Sequence, residues 1–118
     1  MKKILISALY LLILFCITEF VFVPTYLFYE FWWLDIPMHI LGGFGVAMFA
    51  SSIFSYFGVK ISYKKIFWSL MIAAISWELW EYLIGQSEYY DWVGRLDSVK
   101  DVINGIIGAS IGYHFIKK

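Results

Sequence analysis

Two pairs and one triplet of polar residues in this sequence have the spacing to act together. Glu78 and Glu81 are three apart, Asp35 and His39 are four apart, and Asp97, Asp101 and Asn104 follow at intervals of four and three. On a helix, residues so spaced share one face. Carboxylates with one imidazole and one amide make a hard, mostly oxygen donor set. Such a set suits Mg²⁺, Mn²⁺ or Ca²⁺, and the imidazole of His39 also admits Zn²⁺ or Fe²⁺. The candidate metal ligands are therefore Asp35, His39, Glu78, Glu81 and Asp101, with Asp97 and Asn104 as further polar groups. Two carboxylates one turn apart repel each other, which suits Glu78 or Glu81 to act as a general acid or base.

Each of these residues also has a plainer reading. Asp35 fits a helix N-cap, and His39 fits a packing residue donating to Asp35 or Glu78. Asp97, Glu88 and Asp91 fit a solvated loop, and Glu19 and Glu30 fit groups facing outside water. The Glu78/Glu81 pair is hardest to treat this way, because Trp77, Leu79 and Trp80 around it argue against a solvated face.

The rest of the sequence narrows the chemistry. No P-loop, HExxH or CxxC pattern is present, so the mechanisms built on them have no support. Cys16 is the lone cysteine, so there is no disulfide framework. Nine basic residues balance nine acidic ones, and no net positive charge points to nucleic acid. Hydrophobic residues make up 62% of the 118, charged residues 15%, and the mean hydropathy is +0.76. Soluble domains carry about 25% charged residues. This composition belongs to one membrane domain.

Four apolar segments near spanning length position the polar groups. They cover residues 4–23, 36–57, 66–85 and 99–116. In lipid such segments must be helical, because backbone groups have no water to bond. The expected fold is therefore all-α, a four-transmembrane-helix bundle in a single domain. Lys2 and Lys3 before an apolar run resemble a signal peptide, but no small-residue cleavage site follows, so the run is expected to stay as the first span. Lys2 and Lys3, then Lys60, Lys64 and Lys65, then Lys117 and Lys118 mark three cytoplasmic positions by the positive-inside rule. Both termini are then cytoplasmic, and the chain is a multi-pass protein of the plasma membrane. All nine acidic residues fall on or near the other side, together with Arg95 and Lys100.

Helical rise places the polar groups at one depth. Glu78 and Glu81 come roughly 20 and 24 Å from Lys65, and Asp101 and Asn104 roughly 24 and 20 Å from Lys117. Glu19 lies roughly 24 Å from Lys3, and His39 roughly 27 Å from Phe57. All share one layer in the outer leaflet. Small residues continue the same faces inward: Gly43 and Ala47 after His39, Ala74 before Glu78, and Gly105, Gly108 and Gly112 after Asn104. Such residues let membrane helices approach closely, so the polar faces are expected to point into the bundle. The Trp and Tyr residues crowding the outer side fit an interfacial belt, and fit less well a cradle for a lipid or sugar head.

The order Asp35-x3-His39 with Gly42-Gly43, then Trp77-Glu78-x2-Glu81, then Asp97-x3-Asp101-x2-Asn104-Gly105-x2-Gly108-x3-Gly112 resembles the YjdF-like and VanZ-like group of small integral membrane proteins. The resemblance covers about Leu34 to Tyr113. Asn104 follows Asp101 by three residues, where VanZ-like proteins usually have four. The resemblance implies that Asp35, His39, Glu78, Glu81 and Asp101 form a characteristic polar set. It names no reaction, and VanZ-like members are linked to resistance against glycopeptide antibiotics such as teicoplanin.

Three functions from different classes remain open. The first is a metal-dependent membrane enzyme acting at the outer leaflet on a lipid or lipid-linked head group, with a spare carboxylate as base for bound water. The second is a non-enzymatic envelope accessory or resistance protein whose polar cluster fixes helix packing. The third is a cation or proton conductor, which the apolar inner halves of the spans disfavour. Membrane lipids are the expected partners, and no oligomer is predicted.

Overall fold

The computed structural model describes residues 1–22, 35–83 and 92–117, with residues 22, 35, 81, 82, 92–98 and 117 described through their backbone alone. Among the described residues every regular element is helical: α1 (Lys2–Ile17), α2 (Asp35–Tyr56), α3 (Tyr63–Leu83) and α4 (Trp92–Lys117). A π-helical turn, Thr18–Phe22, continues α1. Two of the stretches, Lys2–Val21 and Ile36–Tyr56, are long and apolar enough to cross a membrane.

Local chemistry accounts for the boundaries. Pro37 sits in the first turn of α2, where its missing N–H removes no helical hydrogen bond. Gly58 takes a φ of 72° just past the end of α2. Its N–H donates to the Ser55 carbonyl at 3.2 Å, and the Val59 N–H donates to the Phe54 carbonyl at 2.8 Å. These two bonds form the Schellman arrangement that closes a helix through a left-handed glycine. Ser62 then opens α3 by accepting from the Lys65 N–H at 3.3 Å, the role of an N-cap side chain.

The fourth helix starts earlier than its apolar span, at Trp92 where the hydropathy began at Val99. Arg95, Asp97 and Ser98 lower the hydropathy of that stretch without breaking a helix. Asp97 accordingly lies within α4 and not in a loop. Glu30, Glu88 and Asp91 lie outside the described residues.

Contacts between helices fix their directions. Tyr10 and Leu11 of α1 lie against Gly45, and Leu14 lies against Gly42, so α1 and α2 are antiparallel. Gly43 meets Gly105, and further along Ala47 meets Gly112, so α2 and α4 are parallel. Tyr63 bonds Ser110 at 2.7 Å while Leu70 lies beside Gly105, so α3 and α4 are antiparallel. The bundle runs up, down, up, down. Lys2 and Lys3, the α2–α3 connection with Lys60, Lys64 and Lys65, and the C-terminal end of α4 therefore share one end.

Size is distributed in an unusual way. Among the described residues the buried hydrophobic ones are Ala47, Ala50, Ile66, Leu70 and Ala109, three of them alanines. Large aliphatic and aromatic side chains are exposed instead, in stripes at helical spacing. On α3 the stripe is Trp68, Ile72, Ile75, Leu79 and Leu83; on α4 it is Val99, Ile103, Ile107, Ile111 and Phe115. The outward face of α1 is similar, with Leu5, Ile6, Leu9, Leu12 and Ile13 exposed. Five serine and threonine hydroxyls find their partner within their own helix. Ser7, Thr18, Ser52, Ser69 and Ser76 each donate to the carbonyl four residues back, at 2.8 to 3.0 Å.

Candidate functional site

The α2–α4 seam is built from glycine, and glycine determines which polar side chains meet. A Cβ added at Gly43 would run into the backbone carbonyl of Gly105, and one at Gly108 into the carbonyl of Ile40. The two backbones are therefore in contact, as at small-residue crossings of membrane helices. Such closeness also suits weak Cα–H···O contacts. One turn before Gly43 stands His39, and one turn before Gly105 stands Asp101. Because the helices are parallel and in register at the glycines, these side chains must converge.

They do. His39 Nε2 lies 3.4 Å from Asp101 Oδ2, with the two side chains 23% and 11% exposed. The contact is an ion pair whenever the imidazole is protonated. It is longer than the 2.7–2.9 Å common for a charged N–H···O bond. Asn104 lies one turn further along α4 and is 8% exposed. Its Nδ2 is buried with no hydrogen-bond partner among the described residues. A buried amide group left without a partner costs about 1–3 kcal/mol, so its position calls for a counterpart.

The remaining candidates are placed less fully. Glu78 is half-buried on α3. Trp77 beside it packs edge-on against Phe15 of α1 at 5.8 Å, and Trp80 meets the same ring at 6.2 Å. These rings fasten the C-terminal half of α1 to that of α3. Glu81, Asp35 and Asp97 stand on their helices at the expected positions, but their side chains lie outside the described residues. Among the described residues no three His, Cys, Asp or Glu side chains gather closely enough to hold a metal ion.

Two features have no counterpart in the sequence pattern. The π-helical turn carries Glu19, and one oxygen of that carboxyl is buried. A group expected to face water is thus partly withdrawn from it. π-helical turns commonly occur at functional sites, yet nothing in the run Thr18–Phe22 announces one. Tyr10 is the second: its hydroxyl donates to the Leu41 carbonyl at 2.9 Å, tying α1 to α2 two residues beyond His39. An isolated tyrosine in an apolar run gives no signal of that partner.

No protein-family model, curated protein or solved structure matches this chain. The site therefore has to be interpreted from its own chemistry.

Proposed function

We propose that this chain is a four-span integral membrane protein of the plasma membrane, with both termini cytoplasmic. Its His39–Asp101 site engages a lipid or lipid-linked head group from the outer leaflet. The supporting observation is the inversion of size over the bundle, with a half-buried polar pair on the seam. Bulky aliphatics lie outside on α1, α3 and α4, while glycine and alanine lie inside. In water, contiguous apolar stripes of this extent are costly, whereas in lipid they are the expected surface. The longest dimension, 42 Å, matches a bilayer of about 40–45 Å with its interfaces. Ionisable residues inside a membrane are costly, and where they persist they generally mark function.

Within this arrangement α3 and α4 also cross the membrane, and their charged outer ends account for their lower mean hydropathy. The YjdF-like and VanZ-like resemblance agrees with this reading, since it rests on the same polar set. Labelling with a membrane-impermeant thiol reagent tests the topology. In a Cys16→Ser background, Glu88→Cys should react in intact cells and Ser62→Cys should react only after the membrane is opened. Reaction of both from one side would sink the four-span arrangement. The site itself is tested by mass spectrometry of the protein released gently from membranes. A lipid adduct in the parent protein should be lost in Asp101→Asn with helicity unchanged.

A second reading makes His39–Asp101 a packing device, because the pair continues the register of the glycine contacts. Lower thermal stability in Asp101→Asn with an unchanged lipid complement would favour it over head-group binding.

A further inference from the structure

We infer that His39, Asp101 and Asn104 form a three-ligand site for a divalent cation of the zinc type, with Asn104 as the third ligand. The inference deepens the head-group reading above and rests on it only for the role of the cation, not for its binding.

Three observations converge. The first is the separation of His39 Nε2 and Asp101 Oδ2, 3.4 Å. This is too long for a strong charged hydrogen bond. It is, however, close to the edge of a tetrahedron whose ligands lie about 2.0–2.1 Å from the metal, an edge of about 3.3 Å. The two atoms are spaced as neighbouring ligands of one ion. The second is Asn104, more than nine-tenths buried with an amide nitrogen that lacks a partner among the described residues. A half-turn of the amide exchanges its nitrogen and oxygen, placing a carbonyl-type donor where the unpartnered group stands. The third is the backbone beneath. Asp101 and Asn104 share the face of α4 that continues into Gly105 and Gly108, and His39 shares that of Gly43. The glycine contacts hold both faces at fixed spacing, so the donors are presented by two rigid helices and not by loops.

The donor chemistry selects the cation. One imidazole nitrogen with one carboxylate and one amide oxygen is borderline in softness and low in coordination number. Zn²⁺ accepts such a set, whereas Ca²⁺ prefers six to eight oxygens. Three protein ligands leave a fourth position for water or for an oxygen of a head group. A cation there can polarise that oxygen, giving the site a reason to lie in the outer half of the bundle.

The experiment uses the full-length protein in detergent, carrying no polyhistidine tag, stripped with a chelator and titrated with Zn²⁺ and separately with Co²⁺. One equivalent of Zn²⁺ should bind, and Co²⁺ should give the intense visible bands of a tetrahedral site. Asp101→Asn and His39→Gln should each weaken binding at least tenfold while circular dichroism stays helical. Asn104→Asp, which replaces the amide with a charged oxygen donor, should tighten it at least tenfold. No stoichiometric Zn²⁺ on the helical parent protein would overturn the inference. So would affinities unchanged in Asp101→Asn and His39→Gln, or an Asn104→Asp affinity no tighter than the parent's. If the metal is absent but the lipid adduct still depends on Asp101, the head-group reading survives and the cation does not.

Discussion

The α2–α4 seam and the outward faces of the bundle are built on opposite rules of size. At the seam, Gly43 and Gly108 leave no room for a side chain, and backbone lies on backbone. On the outside, α4 alone presents Val99, Ile103, Ile107, Ile111 and Phe115. Neighbouring positions on one helix therefore obey contrary demands, and Ile107 and Gly108 are the sharpest instance. A soluble helix hides its large apolar residues and leaves its small ones indifferent. Here the large ones face away from the protein, and the small ones determine which helices meet. The difference implies that stability comes from close helix contact more than from removing bulky side chains from the surroundings, as expected where those surroundings are themselves apolar.

The comparison breaks most completely at the seam. Gly108→Leu should abolish the folded bundle, because even a Cβ at this position meets the Ile40 carbonyl. Overpacking typically costs about 1–3 kcal/mol where side chains can shift, and here the obstacle is backbone. Loss of a cooperative thermal transition in detergent would register it. One position away, Ile107→Arg tests the other face. If that face meets lipid, insertion should worsen by about 2.5–3.5 kcal/mol near mid-bilayer, read as a fall in the inserted fraction. If it met water, the change would stay within about 0.5 kcal/mol.

An intermediate effect is expected on the α1 side of α2. A Cβ at Gly45 would approach the Tyr10 ring to 2.5 Å and the end of Leu11 to 2.7 Å. These are side-chain atoms that can move, though Tyr10 is held by its bond to the Leu41 carbonyl. Gly45→Ala should therefore cost about 1–3 kcal/mol. The penalty should shrink when Tyr10 is replaced by alanine in the same chain, a double-mutant test of where the strain lies.

Helix formation, and which residues share a face, were legible in the sequence because apolar length and helical spacing are local properties. The order of the four helices was legible too, and the described ends fall within a few residues of the apolar segments except at α4. That helix begins at Trp92 because a polar stretch continues a helix without adding hydropathy. The meeting of His39 with Asp101 was legible only as a common depth. Depth arithmetic puts Glu19, Glu78 and Asn104 in the same layer and cannot say which neighbours touch. The choice is made by the glycines, since backbone contact at Gly43 and Gly105 sets the register of α2 against α4. Small residues at helical spacing indicate that a helix is approached closely, but not by which partner. The π-helical turn at Thr18–Phe22 was invisible, because its residues would serve equally well in an ordinary helix.

The smallest effects should come from the glycines that resemble the critical ones most. Gly42 adjoins Gly43, yet a Cβ there would meet only Leu14 Cδ2 at 3.8 Å. Gly105 lies one turn from Gly108, yet its Cβ would rest on the Leu70 methyls at 3.5 and 3.8 Å. Both are ordinary van der Waals distances. At Gly105 it is the carbonyl, not the Cα substituent, that faces α2. Alanine at either position should then be neutral, or stabilising by up to about 1 kcal/mol from improved helix propensity. Melting of Gly42→Ala and Gly105→Ala beside Gly43→Ala and Gly108→Ala separates two accounts of the seam. If all four fall together, the glycines act as a general stripe whose smallness matters everywhere. If only Gly43 and Gly108 fall, the seam consists of two backbone contacts, and His39 and Asp101 are held in register by those two.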